Sequence, residues 1–264
     1  MKYVIITGAD GGMGRAAVKE FIKEGYGVIA LDVREYSGEV PVLLSVRCDL
    51  TDTASVEEAY ARVCELTDKI DLIVHLVGIY TLDSLVEAPE RDLRRAFDIN
   101  FFGAANVNRI FLPLLARGSR IIVTTSELAA LDPLPFTGIY AITKGTLDKY
   151  AYSLRMEFQL LGIDVTVLRA GATSTDMLGV STAALDRFCE NTELYSCNAA
   201  RFKKIVNSVE SRSISPERVS KKLSKIAGKR RTRFAYSINR NPLLLLLDAL
   251  PRAWRFKIIK RILK

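Results

Sequence analysis

Residues 3–14 read Tyr3-Val4-Ile5-Ile6-Thr7-Gly8-Ala9-Asp10-Gly11-Gly12-Met13-Gly14. Tyr3–Thr7 is a short apolar run rich in β-branched residues, the signature of a buried strand. A glycine-rich turn follows, and from Met13 to Glu24 the residues Ala16, Ala17, Phe21 and Ile22 recur at helical spacing. Strand, glycine turn and helix in that order form a cradle for phosphates. Gly8 permits the tight turn, Gly12 lets the backbone approach a pyrophosphate, and Gly14 lets helix and strand pack closely. Free N–H groups and the positive end of the helix dipole then meet the anion. Asp10, Gly11 and Met13 belong to the same phosphate-facing loop.

Beyond the turn, Gly27–Leu31 is a second apolar run ended by Asp32, 18 residues after Gly14. A carboxylate there accepts both adenosine ribose hydroxyls and repels a 2′-phosphate, so NAD(H) is favoured. Arg34 keeps NADP(H) open, because a guanidinium binds a phosphate bidentately. Further strands are expected at Pro41–Val46, Leu72–Val77, Arg120–Thr125 and Ile163–Leu168. Between them, helices are expected over Thr53–Leu66 (opened by Thr51 or Thr53), Arg91–Ala116 and Ile139–Leu161, the last closed by Gly162. Strands apolar on both sides that alternate with helices define an α/β protein, its parallel sheet covered on both faces. With no repeat or linker before residue 200, the expectation is one doubly wound, Rossmann-type domain over 1–240. A basic amphipathic extension over 241–264 follows it.

The chain has 264 residues, 49% of them apolar and 26% charged, which excludes disordered and collagenous classes. Cys48, Cys64, Cys189 and Cys197 show no CxxC spacing, and the first strand leaves no room for a secretory signal, so reduced thiols and a cytoplasmic location are expected. One histidine, His75, with no Cys/His cluster argues against a metal site. It sits in the apolar run Leu72-Ile73-Val74-His75-Leu76-Val77, where a satisfied buried imidazole is expected rather than a proton carrier. Net charge is uneven: nineteen Lys/Arg against three acids after residue 200 make +16, while the first 200 residues carry −8. Such a tail meets something anionic or packs on a partner.

The Thr7-Gly8-x-x-x-Gly12-x-Gly14 spacing, together with Tyr140-Ala141-Ile142-Thr143-Lys144, resembles the short-chain dehydrogenase/reductase family. Cys48-Asp49-Leu50 is similar to the segment whose acid meets the adenine amino group. Asn100-Phe101-Phe102-Gly103 is similar to the Asn-x-x-Gly of the central helix. Ser126 stands where the family keeps its serine, and Gly171 through Thr173 to Thr175 resembles the loop that caps the nicotinamide. Three departures stand out. His75-Leu76-Val77-Gly78 replaces Asn-Asn-Ala-Gly, keeping only Gly78; Ser126 lies one residue further from Tyr140 than expected; Ala170 replaces the loop proline. The resemblance implies an oxidoreductase acting on an alcohol or ketone, assembled as a homodimer or homotetramer. A catalytically idle dinucleotide-binding or membrane-associated regulatory protein is the competing class.

The chemistry fits these residue types. A free tyrosine titrates near 10, too high for a base at neutral pH. Lys144, one helical turn from Tyr140, shares its face, and an ammonium beside the phenol favours the phenolate. The resemblance also implies that Lys144 binds the nicotinamide ribose and that Asn100 links it to solvent through a water. Ser126 donates to the substrate oxygen where charge develops. Met177, Leu178, Val180, Leu185, Phe188, Tyr195 and Phe202 lie in the segment that the resemblance implies closes over the substrate, which favours an apolar, steroid- or lipid-like alcohol or ketone. In the tail, Trp254, Ile258, Ile259, Ile262 and Leu263 span one side of a helical wheel, with Lys257, Lys260, Arg261 and Lys264 opposite. That pattern suits peripheral contact with a membrane through 242–264, or docking on another subunit. Nucleic acid is not expected, since no recognition motif accompanies the charge.

Overall fold

Seven parallel strands build the sheet of the computed structural model: β1 (Lys2–Thr7), β2 (Tyr26–Asp32), β3 (Leu44–Arg47), β4 (Ile70–His75), β5 (Leu115–Ser126), β6 (Asp164–Ala170) and β7 (Ala235–Ile238). The structure describes the backbone of residues 1–264 and all side chains except those of 176–182 and Glu210. The helices are α1 (Gly12–Lys23), α2 (Thr53–Cys64), α3 (Glu90–Phe97), α4 (Gly103–Ile110), α5 (Gly138–Leu161), α6 (Asp176–Asn191), α7 (Ser196–Glu210), α8 (Pro216–Ala227), α9 (Pro242–Asp248) and α10 (Arg252–Leu263). Strand order β3-β2-β1-β4-β5-β6-β7 means that the chain runs outward from β1, then returns to its other side at β4. That reversal opens a crevice beyond the carboxyl ends of β1 and β4.

Both sheet faces are buried, which is why the strands read as nearly continuous apolar runs. On one face Val4 and Ile6 pack with Ala17, Val18 and Phe21 of α1 and Val219 and Leu223 of α8. On the other, Ile5 and Ile73 pack with Val56 of α2, Val107 of α4 and Leu147 of α5. Within α1 the buried residues are Gly14, Ala17, Val18 and Phe21, while Ala16 and Ile22 are half-buried, a slight rotation from the expected face.

Several boundaries differ from the sequence reading. The cap of α2 is Asp52, not Thr51 or Thr53; its carboxylate accepts from Ala54 N at 3.0 Å. The expected helix Arg91–Ala116 is three pieces: α3, a π-helical turn at Asp98–Phe102, and α4. A 3₁₀ turn at Leu112–Leu114 containing Pro113 then ends it, and β5 begins at Leu115, because proline cannot continue the helical ladder. The third strand starts at Leu44 rather than Pro41, since proline has no N–H for the sheet. Gly162 closes α5 as expected, in the left-handed region at φ 77°.

Candidate active site

A cleft of about 540 Å³ lies over the carboxyl ends of β1, β2 and β4. Gly8, Gly11, Gly12, Met13, Gly14, Asp32, Arg34, Cys48, Asp49, Leu50, Gly78 and Thr175 line it. The glycines are required sterically. Gly8 has φ 70°, and a methyl group on Gly14 would sit 2.0 Å from the Gly8 carbonyl oxygen. A methyl on Gly12 would meet Thr175 Cβ at 3.0 Å, which shows how closely the capping loop approaches the phosphate turn. These backbone N–H groups at the start of α1, with a carboxylate at the end of β2, match a dinucleotide in size and chemistry.

Asp32 is buried, its oxygens accepting from Asp10 N at 3.0 Å and Arg34 N at 3.2 Å. A carboxylate has about four acceptor positions, so capacity remains for ribose hydroxyls. Asp10 serves differently from the sequence expectation. Its side chain turns out of the cleft to Arg15 at 3.0 Å and Ser37 N at 2.9 Å, bracing the glycine turn against the loop after β2. Burial raises its pKa, but the Arg15 and Ser37 hydrogen bonds outweigh this and hold the carboxyl below its ordinary value. Arg34, 3.5 Å from Asp10, borders the same cleft. Asp49 accepts from Thr51 N and Thr51 Oγ1 at 2.9 and 2.7 Å, which orients the exposed turn after β3.

A second, apolar pocket adjoins the cleft and shares Met13, Leu76, Gly78 and Thr175 with it. Ser126, at the end of β5, and Tyr140 and Lys144, in the first two turns of α5, line this pocket. Ser126 Oγ accepts from Leu128 N at 3.2 Å. The Tyr80 ring stands edge-on to Tyr140, centroids 4.6 Å apart. A methyl on Gly78 would fall 2.7 Å from Lys144 Nζ and 3.2 Å from Asn100 Oδ1, so the glycine leaves room for both side chains to converge here. Asn100, 1% exposed, sits on the π-helical turn; it accepts from Ile79 N at 2.7 Å and donates to Ile79 O and Thr143 Oγ1, each at 3.0 Å. Thr143 Oγ1 in turn donates to Tyr140 O at 2.8 Å.

The electrostatics run opposite to the sequence expectation for the tyrosine. Burial pushes Tyr140 up to about 12, the Ser126 hydroxyl opposing it and the nearby Glu127 adding to it. Burial brings Lys144 down to about 8. Desolvation of each group outweighs any help they give each other.

Gly171 and Thr173 border the apolar pocket rather than the dinucleotide cleft. Gly171 is needed because a methyl there would lie 1.9 Å from Asn239 O, and Thr173 Oγ1 donates to Gly171 O at 3.2 Å. Among the described side chains of the expected substrate-closing residues, only Phe202 lines the pocket; Leu185, Phe188 and Tyr195 instead form a cluster with Phe136. Met177, Leu178 and Val180 lie outside the described side chains. Sequence reasoning missed Thr143, which bonds Asn100 and Tyr140 O, and the pocket residues Tyr80, Leu134, Ile205, Val206, Val209 and Leu244. Only Thr143 carried a local signal, as a hydroxyl one turn from Tyr140. His75 is buried; its Nε2 contacts Asn108 Oδ1 at 2.9 Å and its pKa falls to about 4 through desolvation.

A doubly wound sheet with a phosphate-binding glycine turn and a Ser–Tyr–Lys cluster at its switch point defines a dinucleotide-dependent class. The family model for short chain dehydrogenases matches residues 2–186, and the chain belongs to that family. It is 30% identical over 191 residues to estradiol 17-beta-dehydrogenase 2 of Mus musculus, covering 67% of this chain and 50% of that protein. The chain thus spans about half the length of that relative. It is 23% identical over 254 residues to 3-ketodihydrosphingosine reductase of Bacteroides thetaiotaomicron, covering 95% and 92% of the two chains. The fold matches 3-ketoacyl-(acyl-carrier-protein) reductase from Brucella melitensis complexed with NADH, with a TM-score of 0.73 and 20% identity over 90% of this chain and 96% of that one.

Proposed function

We propose that this chain interconverts a secondary alcohol and a ketone by hydride transfer, with NAD(H) as the preferred cofactor and an apolar, steroid- or lipid-like substrate. The observation that carries this reading is the placement of the Ser126–Tyr140 pair where an apolar pocket opens into the dinucleotide cleft. A bound nicotinamide supplies the hydride acceptor or donor. Tyr140 exchanges the proton at the substrate oxygen, and Ser126 donates a hydrogen bond to the same oxygen. With its pKa near 12, Tyr140 holds its proton at neutral pH, the state that donates during ketone reduction. Lys144 supplies positive charge beside Gly78, and Asn100 with Thr143 positions the turn that carries Tyr140.

Leu134, Phe202, Ile205, Val206, Val209 and Leu244 supply the apolar walls. Asp32, in the lining of the cleft, favours NAD(H) over NADP(H). Tyr140→Phe is expected to lose about 10³-fold or more in kcat while binding NADH with unchanged affinity. The assay is a panel of steroids, long-chain alcohols, polyols and hydroxyacyl-thioesters. Normal turnover by Tyr140→Phe would overturn the proposal, and tighter binding of NADP(H) than NAD(H) by the unsubstituted protein would overturn the cofactor preference.

A further inference from the structure

The apolar side of the C-terminal helix divides in the folded molecule. Ile259 and Leu263 turn inward, and Asn198 Nδ2 donates to Leu263 O at 2.6 Å. Arg255 turns inward with them, 14% exposed, and holds Asp132 at 3.0 Å and Asp248 at 2.7 Å. Trp254 and Ile262 are left 62% and 52% exposed, with Ile258 between them at i+4 spacing. Leu243 and Leu246 of α9 are likewise 62% and 64% exposed.

Exposed Trp254 and Ile262, with half-buried Ile258 between them, are bordered by exposed Lys257, Arg261 and Lys264, and no acidic side chain occurs after Asp248. We infer that the outer face of α9–α10 is a docking surface for an anionic lipid bilayer. An apolar ridge inserts between acyl chains while flanking cations, on stems long enough to reach outward, meet the headgroup charge. Charge decides against a second copy of this chain: a two-fold contact would place Lys257, Arg261 and Lys264 of both copies against each other. The surface adjoins the catalytic pocket, because Leu244 of α9 is part of the pocket wall. The inference rests on the tail alone and holds for any substrate.

Trp254 is the single tryptophan of the chain, so emission excited selectively at tryptophan reports this face. The full chain, mixed at low salt with phosphatidylcholine vesicles containing phosphatidylserine, is expected to co-sediment and to shift its emission to the blue. Phosphatidylcholine alone is expected to leave it in solution, and high salt to release it. The triple variant Lys257→Glu, Arg261→Glu, Lys264→Glu is expected to lose about a hundredfold or more in vesicle affinity. Its thermal midpoint and oligomeric state stay unchanged, since all three side chains are exposed. An unshifted spectrum with anionic vesicles at low salt, or undiminished binding by the triple variant, overturns the inference. A lipid-free blue shift that grows with protein concentration, lost together with the oligomer in Ile262→Ala, assigns the face to a second copy and overturns it equally.

Discussion

Lys144 keeps its ammonium group where water is nearly excluded, at 5% exposure, with no carboxylate ion-paired to it among the described residues. Its folded pKa of about 8 lies below the ordinary 10.5, so the unfolded chain binds the extra proton more readily. The cost to stability is therefore full below pH 8, shrinks as pH rises from about 8, and vanishes above about 10.5. Lys144→Met is expected to abolish turnover yet stabilise the cofactor-free protein by about 1–3 kcal/mol at pH 7. Urea denaturation at pH 7 and pH 10 checks this, the gain being smaller at the higher pH. Because kcat/KM reports the free enzyme, ketone reduction should fall as pH rises through about 8, where Lys144 loses its charge. A pH–rate profile with no inflection between pH 7 and 9 would remove Lys144 from the proton chemistry.

Helix α5 carries Tyr140, Thr143 and Lys144, and its orientation depends on an ion pair one turn further along. Asp148 is held by Arg169 of β6 at 2.9 and 2.7 Å and by Thr125 of β5 at 3.2 Å. The Asp148 side chain is 7% exposed, so removing its partner strands a buried charge. Arg169→Leu is expected to cost about 3 kcal/mol, and the double variant Asp148→Leu, Arg169→Leu to recover most of that. Denaturant midpoints of the two single variants and the double variant test it; additive losses would mean that the pair is not what holds the helix. The loop before α5 is braced separately. Phe136, at φ 62°, pays for an unfavourable backbone with ring contacts to Phe188, Tyr195 and Phe202 at centroid distances of 4.7, 5.1 and 5.2 Å. This strained residue falls in the stretch where the Ser126–Tyr140 spacing is one residue long.

Across the molecule, His75 joins both central strands to the helical layer, through Thr7 Oγ1 at 3.4 Å and Asn108, which donates to Tyr150 Oη at 3.3 Å. Its pKa is lowered from 6.5 to about 4, so the folded state binds the proton less readily than the unfolded one. Stability is unaffected above pH 6.5, falls as pH drops from there, and levels off below pH 4, a loss of about 3 kcal/mol. His75→Gln is expected to flatten that part of the acid limb in unfolding midpoints measured from pH 7 to pH 4. An unchanged slope would place the acid sensitivity elsewhere. The expected boundary between residues 240 and 241 is crossed by contacts: Asn241 N donates to buried Glu127 at 2.7 Å, and Leu244 reaches the catalytic pocket. The extension is thereby coupled to the loop that follows Ser126.

The sequence by itself determined the order of strands β1 to β6 with the helices α1, α2 and α5, the phosphate turn, and the Tyr140–Lys144 pair. These depend on short-range rules: side-chain period, the steric demand for glycine at Gly8 and Gly14, and the rise of one helical turn. It also marked Ser126, Asn100, Asp32 and Gly78 through their places between elements. Only the tertiary structure decided which side chains wall the pocket, because Leu134, Phe202 and Leu244 meet there from segments far apart in the chain. It alone turned Asp10 out of the cleft and Arg255 inward, and left Trp254 and Ile262 exposed. The protonation of Tyr140 and Lys144 was decided there as well, since desolvation depends on every atom packed around a group and not on its neighbours in sequence.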